Sequence, residues 1–403
     1  MNRSVRYAYL LFSLLPTSAC TTGDGDWSGT ITDSAGVTIV MNTNDRLWAE
    51  GEGWTVEEER RFGALEAEPE YQFGQIGWIT VGSNRDIYIT DMQAQQVRVF
   101  TNDGQYIRTV GGPGSGPGEL GRNARYLMVT PGDTLIIPDP TNRRINRYSP
   151  DGTALPSMPL RPEEGRPLRY YLTHSGVLVA QVRLPLPDTL DHIIVIESSG
   201  QFGDTLITFP SGGAGRVAGE THQFSPEPMW NVTDSLSVVY GVNNEYRIGM
   251  YDRSGTLTRV LAREYEPAPV TARDLRAFWS YLDRAWIDAG VNPSRLPELH
   301  ARTHFAEFYP AYYGISIGYQ GTIWVQRIQT PGGLSDEELE RYNFLEEFGS
   351  TTSDVYDSDG RYLGVVEMPE RFQPRTFRGD KIYGVWRDEF DVQYVMRLRV
   401  VGR

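Results

Sequence analysis

Gly104, Gly152 and Gly200 recur at one constant interval, and two of them close the tight turns Asn102-Asp103-Gly104 and Pro150-Asp151-Gly152. A regular period of this size marks a chain built from repeated supersecondary units. Residues 86–91, 97–100 and 106–110 read as short strands, and residues 76–81 supply one before them. Four short strands around tight turns make one propeller blade. The next copy has strands at 134–139 and 145–148, and Asp139 stands as far before Asp151 as Asp91 stands before Asp103. Further copies end in Ser254-Gly255 and Asp359-Gly360, and a last sheet covers 381–386 and 394–398. The expected fold class is therefore all-β, a six-bladed β-propeller.

The sixth sheet runs out of chain at Gly402-Arg403, where the turn before its fourth strand is due. An N-terminal segment, either 37–40 or 54–56, is expected to supply that strand. Such pairing hides two sheet edges and closes the ring.

The interval from Gly255 to Gly360 is close to two periods, but helical signals occupy it. Thr271 with Asp274 forms a capping pattern, and Leu275, Phe278, Trp279, Leu282 and Trp286 then share one helix face, with Gly290 as the stop. A second helix is expected over 296–308 and a third from Ser335 to about Phe348. The reading is a helical insertion at 265–308, between blades 4 and 5, and another at 328–353, within blade 5. Consecutive blade strands are antiparallel, so both insertions are expected on one face of the propeller. Trp279, Tyr281, Trp286, Tyr312 and Tyr313 are the candidate binding residues there; the alternative is that they only pack helices onto blades.

The formal net charge of −14 argues against a nucleic-acid partner, since phosphates call for a basic surface. The sole cysteine, Cys20, follows Arg3, Arg6, a short apolar run at 10–15 and the small residues Thr17-Ser18-Ala19. The apolar run is too short to span a bilayer, which takes about 20 residues. This segment resembles a bacterial lipoprotein signal, with Thr17 where that family has a larger aliphatic residue. The resemblance implies cleavage after residue 19, lipid attachment at Cys20, and a polar tether over 20–35 leading into a propeller at 36–403. The alternative is simple secretion with Cys20 left as a thiol. An aspartate directly after the cysteine is missing, which points to an outer-membrane destination within the cell envelope.

Residues 87–91 followed by 97–100 are similar to the strand–Asp–strand unit of the NHL/TolB-like six-bladed propellers, and Asn142-Arg143-Arg144-Ile145 is similar to that group's Asn-x-Arg-hydrophobic stretch. The glycine-rich stretch 111–119 also looks like an inter-blade loop of that group. The resemblance implies that Asp91, Asp139 and Arg144 brace their blades internally, with Gln96 standing where the first copy lacks the arginine. The group includes enzymes, sensors and scaffolds, so the fold leaves function open.

His300 and His304 could share a helix face, but His300 is followed by Ala301 rather than the glutamate of a zinc protease. Asp357-Ser358-Asp359-Gly360 reads as a hairpin turn, without the later glutamate of a calcium loop. No catalytic residue and no metal ligand is assigned. The leading expectation is a non-enzymatic binding or scaffold lipoprotein with no cofactor. Its partner would be an envelope protein, peptide or glycan, and it would touch the membrane through its anchor alone. The alternative is a calcium-dependent lactonase or esterase, with the metal in the propeller channel.

Overall fold

The computed structural model describes residues 27–402 except 65, 67, 162, 186–189, 212–219, 343 and 345–347. Cys20 and the signal and anchor readings lie outside these residues. The described chain forms a six-bladed β-propeller in which each blade is an antiparallel four-stranded sheet. Blade 1 runs Ile76–Val81, Ile87–Asp91, Gln96–Phe100 and Tyr106–Val110, and the innermost strand comes first.

The turn glycines hold the repeat in register. Gly104, Gly152, Gly200, Gly255 and Gly360 all sit at φ between +79° and +93°, where a side chain is strained. Both faces of each sheet are buried, because one apolar layer fills each of the six blade–blade boundaries. The second strand of blade 1, Ile87–Asp91, is accordingly buried along its whole length.

Of the two candidate closing strands, the later one closes the ring. Thr55–Phe62 pairs antiparallel with Gln393–Val401, with Thr55 opposite Val401 and Phe62 opposite Val395. The earlier one serves elsewhere: Val37–Asn42 runs parallel to the outer strand of blade 4, Leu257–Arg263, and Thr30–Ser34 folds back onto it. That hairpin turns through Ala35 and Gly36, both at positive φ, as a two-residue hairpin loop requires.

Helix α1 covers Ala272–Asp288. Thr271 Oγ1 accepts the Asp274 N–H, and the Asp274 carboxylate accepts the Thr271 N–H. Helix α2 spans only Leu296–Ala301, and the chain then enters a strand, Thr303–Phe305, that pairs in parallel with Thr221–Gln223. The expected helix over 296–308 is thus cut short, because these backbone groups bond to another strand. Helix α3 covers Asp336–Arg341 rather than reaching Phe348. Beyond it Tyr342 and Phe344 turn into an apolar cluster with Phe224, Phe278, Leu282, Tyr309 and Leu339. This cluster joins both insertions to the loop entering blade 4 and forms a small helical cap. Among the described residues no helix is long and apolar enough to cross a membrane.

Candidate functional site: the propeller channel

The first strands of the blades surround the axis. They enclose a cavity of about 120 Å³ lined by residues of all six blades. Its lining comes from the middle and far ends of these strands, from Tyr126 and Leu127 just before Met128–Val129 of blade 2, and from Pro131, Thr173 and His174 in the turns that follow. The insertions leave from the opposite ends of the strands, so the cavity lies toward the face away from the cap.

Trp78, Tyr126 and Tyr170 form an aromatic arc across blades 1, 2 and 3, with ring centroids 5.6 and 5.8 Å apart in turn. Tyr171 lies beside them, and burial raises its phenol to about 12 despite the opposing effect of Arg378. Blade 6 contributes Arg375, Thr376, Phe377 and Arg378 from Phe372–Arg378. The Arg375 guanidinium donates to Gln373 Oε1 at 3.0 Å. Tyr170 adds a buried hydroxyl that has no hydrogen-bond partner among the described residues. Asn231 and Ser316 supply polar groups from blades 4 and 5.

Carboxylates near this face are engaged in joining neighbouring blades. Asp133 of blade 2 accepts the Ser83 N–H of blade 1 at 2.7 Å, and Asp234 of blade 4 accepts the His174 N–H of blade 3 at 2.5 Å. The described lining itself holds two arginines and no carboxylate. Calcium takes six to eight oxygen ligands, several of them anionic, so these residues do not fit the calcium of the alternative reading.

The five aromatic candidates on the insertion-bearing face do not line a common cleft. Trp279 packs tilted on His300 at 4.1 Å and edge-on to Phe305 at 5.1 Å, and Trp286 approaches His300 at 6.1 Å. Tyr281 packs on Phe344 at 5.5 Å. Tyr312 is wholly buried between blades 4 and 5, 5.6 Å from the Tyr246 ring. Only Tyr313 is exposed, beside Phe348. Trp279, Tyr281 and Trp286 pack against the cap's own apolar cluster and Tyr312 against the blade 4–5 boundary, so the expected common cleft is not formed by these rings.

Asp91 is buried and accepts the N–H groups of Gly74, Gln75, Gln93 and Ala94. Its cationic partner is Arg98 at 3.2 Å, just beyond the Gln96 position. Asp139 accepts from the Gly121 and Asn142 N–H groups and from the Asn142 and Asn146 amides. Arg144 donates to the carbonyls of Ser115, Gly116 and Glu119, and so holds the glycine-rich loop. His300 and His304 do not share a helix: His300 bonds Asp283 at 2.6 Å, and His304 lies in the short strand opposite His222.

The channel residues escaped the sequence reading, although the repeat carried a signal. The interval from Trp78 to Tyr126 equals that from Gly104 to Gly152, so the two rings hold equivalent places in successive blades.

A family model described as a 6-bladed beta-propeller (DUF5128) matches residues 57–157. A Bacteroides fragilis protein described as exported is similar at 13% identity and a TM-score of 0.52, over 90% of this chain and 99% of that one. A member of the duf4221 family from Bacteroides vulgatus is similar at 12% identity and a TM-score of 0.53, over 88% of this chain and 100% of that one. At such identity both likenesses speak to the fold alone. A gluconolactonase from Xanthomonas campestris reaches a TM-score of 0.41 at 12% identity, over 86% of this chain and 99% of that one, too distant to bear on activity. No curated protein matches the chain significantly.

Proposed function

We propose that this chain is a binding protein of the cell envelope, exported and tethered through Cys20, whose channel takes a small carboxylate group carried on a flat or apolar body. The observation that carries the reading is the pairing of Arg375 and Arg378 with the arc Trp78–Tyr126–Tyr170 around one cavity whose described lining holds no carboxylate. A guanidinium fork matches a carboxylate in charge and shape, and an aromatic wall holds the body next to it. The volume is near the ~150 Å³ known to hold one benzene. It therefore suits a single end group rather than a whole chain. Export agrees with the segment before Cys20 and with the description of the Bacteroides fragilis relative.

Calorimetric titration of the chain freed of residues 1–19 tests this reading. The ligands are short peptides with free or amidated C-termini, and uronic acids beside their neutral sugars. The free acids are expected to bind, and the Arg375→Gln/Arg378→Gln variant to bind at least tenfold more weakly. Equal binding of acid and amide, unchanged binding by that variant, or turnover of an ester or lactone would overturn it.

A further inference from the structure

We propose that Glu220, His222 and His304 form a binding site for one divalent ion of the zinc class, placed between the cap and the entry to blade 4. The two histidines are direct partners in the parallel ladder, so their side chains leave the same face of it. Their rings lie 5.0 Å apart. Glu220 Oε2 is 3.5 Å from His222 Nε2 and 3.6 Å from His304 Nε2, and the three ligand atoms all fall within 4.8 Å of one another. Zinc bonds of ~2.0–2.2 Å in a tetrahedron set neighbouring ligand atoms ~3.4 Å apart, close to the two glutamate–histidine distances.

A second observation points the same way. Beyond the 3.5 Å approach of Glu220, the buried His222 Nε2 has no hydrogen bond among the described residues, although a buried polar atom ordinarily has one. An ion at this point would supply one. Two imidazoles and one carboxylate suit zinc and its first-row neighbours, whereas calcium and magnesium prefer oxygen ligands alone. Three protein ligands would leave a fourth position for water or for a donor from a partner. The ion would tie Thr221–Gln223, which leads into blade 4, to Thr303–Phe305 of the insertion. The site shares no residue with the channel and does not depend on the reading given to it.

Zinc titration of the metal-stripped full chain tests the proposal, with Cys20→Ser removing the only thiol and no polyhistidine tag present. One equivalent is expected to bind and to raise the melting temperature, as any ligand specific to the folded state does. His222→Gln and His304→Gln should each weaken binding at least tenfold and abolish the thermal shift. His300→Gln should leave both unchanged. His304 is half-exposed, so its variant is expected to melt where the metal-stripped parent melts and can decide the matter alone. Absence of saturable binding, retention of zinc by His304→Gln, or its loss in His300→Gln would overturn the proposal.

Discussion

Asn42 accepts the backbone N–H of Tyr362 at 2.7 Å, across 320 residues of chain. Its amide also donates to the carbonyls of Ala262 and Gly360, at 3.2 and 2.9 Å, and its oxygen accepts from the Trp27 indole at 3.1 Å. One fully buried side chain thereby joins the N-terminal hairpin to blades 4 and 5. Asn42→Ala would strand the Tyr362 N–H and two carbonyls in the interior. Each such buried group costs roughly 1–3 kcal/mol. Urea unfolding should show a loss of about 2 kcal/mol or more, with the slope unchanged.

Asp354 predicts how stability depends on pH. Arg263 and Arg327 lie 2.8 and 2.7 Å from its carboxylate, and the Tyr246 and Tyr362 hydroxyls donate to it. Burial alone would raise its titration point, but Arg327 and Arg263 reverse this and hold it below the ordinary carboxylate value. A group depressed in the folded state stabilises the fold above its unfolded value, ~4, and that contribution fades as pH falls through the lower folded value. The protein should therefore lose stability on acidification. Asp354→Asn should be destabilised at neutral pH by about 3 kcal/mol, the scale for breaking a buried ion pair. Its melting temperature should change less than that of the parent between neutral and acid pH.

Two turn glycines should respond differently to the same change. Gly255 and Gly360 have φ of +80° and +85°, so alanine at either incurs the left-handed strain of roughly 1–2 kcal/mol. A Cβ on Gly360 would meet Leu261 at an acceptable 3.4 Å, but on Gly255 it would come within 2.6 Å of the Leu206 carbonyl oxygen. Side-by-side denaturation should rank Gly255→Ala well below Gly360→Ala in stability.

The ring closure carries a charge cluster that can be tested with salt. Glu59, on the closing strand, receives Lys381 Nζ at 2.7 Å and Arg397 Nε at 3.0 Å from blade 6. Glu59→Gln would leave these cations facing one another. A loss of about 1 kcal/mol at low ionic strength is expected, since the group is partly exposed. The loss should shrink in ~1 M salt, where screening acts within ~3 Å.

Blade count and strand positions were legible because their causes are local. Gly104 and Gly152 close short polar turns that call for a left-handed residue, and the apolar run at 87–89 favours burial on both faces. The capping pair Thr271 and Asp274 likewise announced α1. Helix ends were less legible. His304 fits a helix by spacing, yet its backbone is captured by Thr221–Gln223, which lies before blade 4 and far back along the chain, an outcome that no local preference encodes. The aromatic candidates were not gathered into one cleft for a related reason. Helical periodicity places Trp279 and Trp286 on the apolar face, but it cannot tell a face that binds a ligand from one that packs on the rest of the protein.

By itself the sequence determined that this chain repeats and that its repeat is a four-stranded blade. These follow from turn glycines and short apolar runs, which act over short stretches. Tertiary structure alone decided that Thr55–Phe62 closes blade 6 while Val37–Asn42 docks on blade 4. It alone brought Arg375 and Arg378 of the last blade round to Trp78 of the first, and set His222 against His304. A closed ring makes neighbours of residues that share no stretch of chain, so the chemistry at its centre is written only when the ring is complete.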